Sequence, residues 1–313
     1  MTTLYASLIR LHALRDGCIP QTQGRFALAA FLDIVHQVDP ALAVALHDSK
    51  NRRPFTLSQL RGLPVPRQGE VRLRAGHECW LRVTLTGETL FGTFIRRFLQ
   101  GEARPTLRLG EMPFGVSEVL TTPGSHPWAG YTTAEELLNC ARDDDTIALE
   151  FASPFGFSLG DNRVEIAPRP ELLFGGLHKK WAQWCARPLA PGERSSLAGV
   201  TPPAAQSRLS EVHRRGLAEL PDEPWLREHV LIKAWRVQSR MLRYGPQAQV
   251  GSEGNVVFRI FNADAKARRM LNALADFAFY AGIGRKTTQG MGQVRRVDRW
   301  TPPTDAESDS GLA

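Results

Sequence analysis

Two short stretches of this chain hold residues whose types and spacing suit chemistry. The first, Ala281 to Gly292, places four glycines (Gly282, Gly284, Gly290 and Gly292) around the cations Arg285 and Lys286, directly after a segment with helical apolar spacing. Glycine admits positive φ and lets main-chain N–H groups approach a ligand, and the two cations match phosphate oxygens, so the run fits a backbone loop lying against a polyanion. A dinucleotide fingerprint would need a third glycine where Thr287 stands, and a P-loop would need Gly-Lys-Ser/Thr where the chain has Arg285-Lys286-Thr287. A tight hairpin with no ligand is the alternative. The second stretch centres on His47, followed by Lys50, Arg52 and Arg53. Imidazole titrates closest to neutral pH and suits proton transfer, and a neighbouring cation can hold a phosphate and offset transition-state charge. By residue type alone, a histidine near a helix end is more often a cap or a surface group, and such cations a solvated turn.

The elements that must position these residues follow from periodicity. Leu4 to Leu14 reads as a central strand, Gly17 to Gly24 as a loop and Phe26 to Val38 as a helix. Asp39 is a good N-cap and Pro40 a good first helical residue, so Ala41 to Leu46 begins a fresh helix with His47 near its end. Glu70 to Leu85 alternates like a strand, and Leu90 to Leu99 reads as a helix ending at Gly101. After a polar boundary, Thr132 to Asp145, strands are expected at Thr146 to Phe155, Glu228 to Tyr244, Asn255 to Phe261 and Gln293 to Val297. Helices are expected at Leu172 to Cys185 and at Ala265 to Ala281, where Met270, Leu271, Leu274, Phe277 and Ala278 recur at helical spacing. The pattern predicts an α+β protein of two tandem ferredoxin-like domains, residues 1–140 and 141–300, with 301–313 as a disordered tail. On the strand after Glu228, Arg236, Gln238 and Arg240 share one face, opposite Trp235, Val237 and Ser239, which suits either a polyanion or plain solvent. Lys179 with Lys180, and Arg214 with Arg215, are further candidates for phosphate contacts, though such pairs are more often helix-surface charge.

At 313 residues, 42% of them hydrophobic, the chain is long enough for about two domains with ordinary cores. Lys plus Arg exceed Asp plus Glu by 39 − 32 = 7, and the isoelectric point near 9.6 favours an acidic partner such as nucleic acid or a membrane surface. Cys18, Cys79, Cys140 and Cys185 form no Cys-x-x-Cys pair, so neither a zinc site nor a disulfide framework is indicated. Tyr5 to Leu14 is interrupted by Arg10 and His12 and leads to no cleavage site, and Phe26 to Val35 is too short to span a bilayer. A soluble cytoplasmic protein without membrane association is expected.

The glycine-apolar-glycine pairs Gly282-Ile-Gly284 and Gly290-Met-Gly292 resemble the C-terminal glycine-rich loop of the RAMP superfamily of CRISPR-associated RNA-binding proteins. Within it the chain resembles the family that processes precursor CRISPR RNA, Cas family six. Asp39-Pro-Ala-Leu-Ala-Val-Ala-Leu-His-Asp48, followed by Arg53-Pro-Phe-Thr-Leu-Ser58, is similar to that family's catalytic-histidine segment. Leu149-Glu-Phe-Ala-Ser-Pro-Phe155 and Leu177-His-Lys-Lys-Trp181 are similar to the opening strand and helix of its second domain. The resemblance implies a metal-independent endoribonuclease that needs no cofactor, binds CRISPR repeat RNA and cuts precursor crRNA within each repeat. Its chemistry would be attack of a 2′-hydroxyl on the adjacent phosphate, leaving 5′-hydroxyl and 2′,3′-cyclic phosphate ends. His47 would be the catalytic histidine, one of Lys50, Arg52 and Arg53 its phosphate partner, and the glycine loop with Arg236 and Arg240 part of the RNA surface. Some relatives carry a catalytic tyrosine on the first helix, where this chain has Leu32; no tyrosine lies between Gln21 and Gly69. His36, one turn further along, is then the candidate for a second acid/base, as in relatives that use two histidines, with a plain helix-surface histidine as the alternative. A homodimer and association with a CRISPR effector complex are left open. A non-catalytic RAMP subunit that binds RNA is the nearest rival, and a nucleotide-binding enzyme the weakest.

Overall fold

The computed structural model describes residues 2–49, 52–99, 105–185, 222–245, 247–298 and 300. The first half opens with β1 (Thr3–Ala13), a central strand buried on both faces because Leu4 packs into the core of the second half and Ile9, Leu11 and Ala13 into that of the first. Then come β2 (Gly17–Pro20), α1 (Gly24–His36), α2 (Pro40–Asp48), β3 (Phe55–Leu57), β4 (Glu70–Leu73) and β5 (Glu78–Thr86). The half closes with α3 (Glu88–Leu99), β6 (Thr106–Leu109), β7 (Met112–Leu120), β8 (Gly130–Thr133) and α4 (Ala134–Asn139). The main sheet has the order β3-β5-β1-β7-β6, all antiparallel, with β8 pairing the start of β1 and β7 its end. Along the path β1, α1, β3, β5, α3, β7, the second, third, first and fourth strands lie side by side, which is the ferredoxin-like arrangement. The stripe Ala27, Ala30, Phe31, Ile34 and Val35 packs α1 onto this sheet, with the Phe31 and Phe55 rings 4.4 Å apart.

The second half repeats the plan. It runs β9 (Thr146–Phe155), the short pair β10 (Phe157–Ser158) and β11 (Val164–Glu165), α5 (Pro170–Trp184), α6 (Glu223–His229), β12 (Val230–Tyr244), β13 (Gln247–Ile260), α7 (Ala265–Ala281) and β14 (Val294–Arg296). The order β12-β13-β9-β14 is again second, third, first, fourth. Met270, Leu271, Leu274, Phe277 and Ala278 form the buried stripe of α7, as their spacing predicts.

Three local readings change. Glu70 to Leu85 is not one strand: Gly76, at φ +81, and an Ala75 N–H bonded to the Asp16 carboxylate (2.8 Å) make a turn, and β4 pairs with β2 inside the expected loop. The strand expected from Asn255 begins at Gln247, as the return arm of a long hairpin with β12. The polar boundary contains α4, closed by a reciprocal Thr133–Glu136 capping box. Behind it Asp143, Asp144 and Asp145 pair with Arg268, Arg296 and Arg259 at 2.7, 3.0 and 2.7 Å, so this segment is tied to the second half. The tail at 301–313 and the Arg214–Arg215 pair lie outside the described residues.

The two halves meet around Arg82 of β5, whose side chain is buried. Its guanidinium donates to the Trp128 carbonyl (2.8 Å), the Phe279 carbonyl (2.8 Å) and the Gln293 side-chain oxygen (2.6 Å), and it stacks against the Trp128 and Phe279 rings. Burial pushes this guanidinium down to about 9. Around it, Thr84 donates to the Tyr280 carbonyl (2.6 Å), Gln293 donates to the Leu57 carbonyl (3.2 Å) and Ser58 bridges to Gly290. Arg82→Met should fill the space yet leave three acceptors unpaired, and a loss of about 3 kcal/mol or more is expected, read as a lowered urea midpoint.

Candidate functional site

His47 owes its place to the packing of α2. The Asp39 carboxylate accepts the Leu42 N–H (2.9 Å) and Pro40 follows at the first helical position, so the helix starts where the sequence predicts. Ala43 and Leu46 turn inward, which leaves His47 in solvent with 71% of its side chain exposed. Its Nδ1 lies 2.9 Å from the Asp48 carboxylate. A carboxylate only accepts, so in this contact Nδ1 is the donor. Arg53 donates from Nη2 to the His47 carbonyl (2.8 Å). Lys50 lies outside the described residues. His36 is exposed at the last position of α1, and Leu32 is partly buried against the core.

The glycine loop is held by its own backbone. Gly282, Gly284, Gly290 and Gly292 have φ of +62, +79, +90 and +69. A Cβ on Gly284 would stand 2.4 Å from the Gly156 carbonyl oxygen, and one on Gly292 1.9 Å from that of Ile283. The N–H groups of Ile283, Arg285 and Gly292 donate to the carbonyls of Gly292, Gly156 and Pro154 at 2.9, 2.9 and 2.8 Å. These amides therefore face the protein rather than a ligand, and what the loop offers outward is the side-chain charge of Arg285 and Lys286. Lys286 also stands over the Tyr244 ring (5.1 Å), whose hydroxyl donates to the Gln289 carbonyl (2.7 Å) and whose face is shared with Arg25.

A groove of about 510 Å³ runs between this loop, α5 and the segment after α2. It brings together Arg52 and Arg53 from the first half with Lys179, Lys180, Arg285 and Lys286 from the second. Gly282 and Gly284 line it, while Gly290 and Gly292 stand behind, against Gln59 and Ile283. Neither His36 nor His47 is part of its lining; His47 adjoins it through Arg53. Arg236 and Arg240 belong to β12, away from the groove, and Arg240 pairs with Glu253 (2.7 Å). Among the described residues, no three His, Cys, Asp or Glu side chains converge as metal ligands.

Lys180 differs most from its sequence reading. It is buried, and its Nζ donates to the carbonyls of Ala281 (2.7 Å) and Gly282 (2.9 Å). Burial and then the charge of Arg52 push its amine down to about 7. Next to it Trp184 and Gln183, which the sequence reading did not single out, donate to the Arg52 carbonyl (3.2 and 3.4 Å).

Two tandem ferredoxin-like units thus meet along a groove lined by cations of both halves. Residues 6–139 match the CRISPR Cas6 N-terminal domain, and residues 149–294 match the CRISPR-associated endoribonuclease Cas6. The chain belongs to the Cas6 family. Among solved structures it is similar to the product complex of Cas6 (TTHB231) from Thermus thermophilus, with 26% identity, a TM-score of 0.70, and 94% of this chain and 99% of that one covered. A substrate mimic complex of Cas6 (TTHA0078) shares the fold at 24% identity and TM-score 0.63, covering 94% and 99%. So does the product of a Cas6-related gene from Pyrococcus furiosus, at 13% identity and TM-score 0.56, covering 95% and 100%. A search of curated proteins gave no match. No described helix is long and apolar enough to cross a membrane.

Lys180 carries a pH signature. Below about 7 it is charged both folded and unfolded; above that the folded chain releases a proton that the unfolded chain keeps up to its ordinary value of 10.5. The unfolded state binds more protons in that window, so this residue's contribution to stability rises with pH from about 7 towards 10.5. The difference in urea midpoint between the protein and Lys180→Met should move in the protein's favour from pH 7 to pH 9.5, about the range of the shift.

Proposed function

We propose that this Cas6 protein is a metal-independent endoribonuclease of the cytoplasm that binds the repeat of a precursor CRISPR transcript and cuts it once per repeat. The observation that carries the reading is the groove itself: cations from both halves line it alongside Glu171 and Glu223, and Arg53 joins its edge to the backbone of His47. Phosphates of a single strand or a stem flank would lie along Arg52, Arg53, Lys179, Arg285 and Lys286. The 2′-oxygen attacks phosphorus as its proton leaves, and the 5′-oxygen departs with a proton gained, which yields a 2′,3′-cyclic phosphate and a 5′-hydroxyl. Nε2 of His47 is the group for one of these transfers, and His36 the candidate for the other. One of the cations that follow His47 in the chain, Lys50, Arg52 or Arg53, offsets the added charge on the phosphate. Arg236 and Arg240 would contact RNA beyond the groove.

End-labelled repeat RNA incubated with the protein in EDTA should be cut at one position. His47→Ala should slow single-turnover cleavage by about 10²-fold or more while retaining RNA binding, and a 2′-deoxy substitution at the cut should abolish it. Unchanged cleavage by His36→Ala would remove that histidine from the mechanism. Tight binding with no cut by the unaltered protein would place the chain among RAMP subunits that only hold RNA.

A further inference from the structure

The groove has one arm in each half of the molecule, and Lys180 is the side chain that touches the fastenings of both. On its first side it binds the last carbonyl of α7 and the carbonyl of the first loop glycine, where a helix leaves acceptors unpaired and favours a cation. On its other side its ammonium stands 5.7 Å from the Trp184 ring, and Trp184 in turn donates to the Arg52 backbone. We infer that Lys180 is a positioning residue for cleavage, which fixes the distance between the Arg285–Lys286 arm and the Arg52–Arg53 arm. This inference rests on the reading that the groove holds the RNA.

Two features favour this over a lysine that merely fills space. An apolar side chain of similar length would pack as well but leave the Ala281 and Gly282 carbonyls without their donor. The ionic group that acts on Lys180 is another cation, Arg52, and no anion among the described residues pairs with its ammonium. A phosphate in the groove would supply one, and this couples the anchor to the occupied state.

The test uses the full chain with Lys180→Met, Lys180→Arg and Trp184→Phe. Hydrogen exchange without RNA reports the anchoring: Lys180→Met should speed exchange in residues 282–293 and also in 52–58, with β1 and β5 unchanged. Trp184→Phe, which keeps a ring but loses the indole donor, should loosen 52–58 alone. With repeat RNA at saturating protein, Lys180→Met should cut by about tenfold or more slower, and Lys180→Arg should recover most of that rate, as expected when reacting groups are displaced and then restored. Wild-type protection of both segments in Lys180→Met, or faster exchange there with an unchanged cleavage rate, would overturn the inference. Should Lys180→Met fail to fold, an unchanged 52–58 segment in Trp184→Phe overturns it as well. Absence of cleavage by the unaltered protein would defeat the functional reading instead. Affinity for 2′-deoxy repeat RNA then takes the place of the rate, and wild-type affinity in Lys180→Met overturns the inference.

Discussion

The structure depends on a buried guanidinium, that of Arg82, which pairs with no carboxylate among the described residues. Arg82 leaves the middle of the first sheet and finds its acceptors in the Trp128 and Phe279 carbonyls and the Gln293 amide. Such a charge is costly to bury, and what offsets it is the geometry of the fork, which meets three oxygens while the flat ring is covered by two aromatic faces. Any hinge opening between the halves would strand the group. The junction is therefore rigid for an electrostatic reason, and Gln293 passes that rigidity on. It accepts from Arg82, donates to the Leu57 carbonyl of β3, and follows Gly292 directly in the chain. The glycine loop is thus fastened at its exit to the same point that joins the halves.

The glycines of that loop serve contact between backbone and backbone. Gly284 lies against Gly156, Gly292 against Ile283, and Gly24 at the start of α1 against Gln289, where a Cβ would stand 1.8 Å from the carbonyl oxygen. A loop closed this tightly has little freedom to adapt to a ligand. Its two cations are presented from a fixed edge, one of them braced over Tyr244, and the partner arm is held as firmly by Trp184 and Arg53. On the proposed reading, a strand of RNA meeting this groove would find charges already spaced, so less order would have to be created at the moment of binding.

Much of this was legible in the residues. The spacing of Met270, Leu271, Leu274, Phe277 and Ala278 gives α7 within its observed bounds, and Asp39-Pro40 marks where α2 begins. The break between β4 and β5 was not legible, because alternation runs on through it while the turn depends on Asp16, far back in the chain. The acidic run after α4 reads as a solvated boundary until its arginines arrive from more than a hundred residues away. Lys180 left a usable signal. Leu173, Leu177, Trp181 and Trp184 recur at helical spacing, and Lys180 falls inside that stripe while Lys179 falls outside it. The meeting of Arg52 and Arg53 with Arg285 and Lys286 has no local signal, since it is made only when the two halves dock.

His47 shows what such a scaffold leaves to its substrate. Among the described residues the imidazole is largely exposed, with Nδ1 against Asp48 and its carbonyl bonded by Arg53. General acid–base chemistry gains from exclusion of water, because charge developing on the phosphate is stabilised most in a dry, preorganised site. On the proposed reading, RNA lying across the end of α2 supplies that exclusion. Correct seating along the groove and competence of the histidine then become one event: an RNA that fills the groove in another register leaves His47 wet and misaligned. Selectivity for a single cut per repeat would follow from this coupling without any dedicated reader beside the scissile bond.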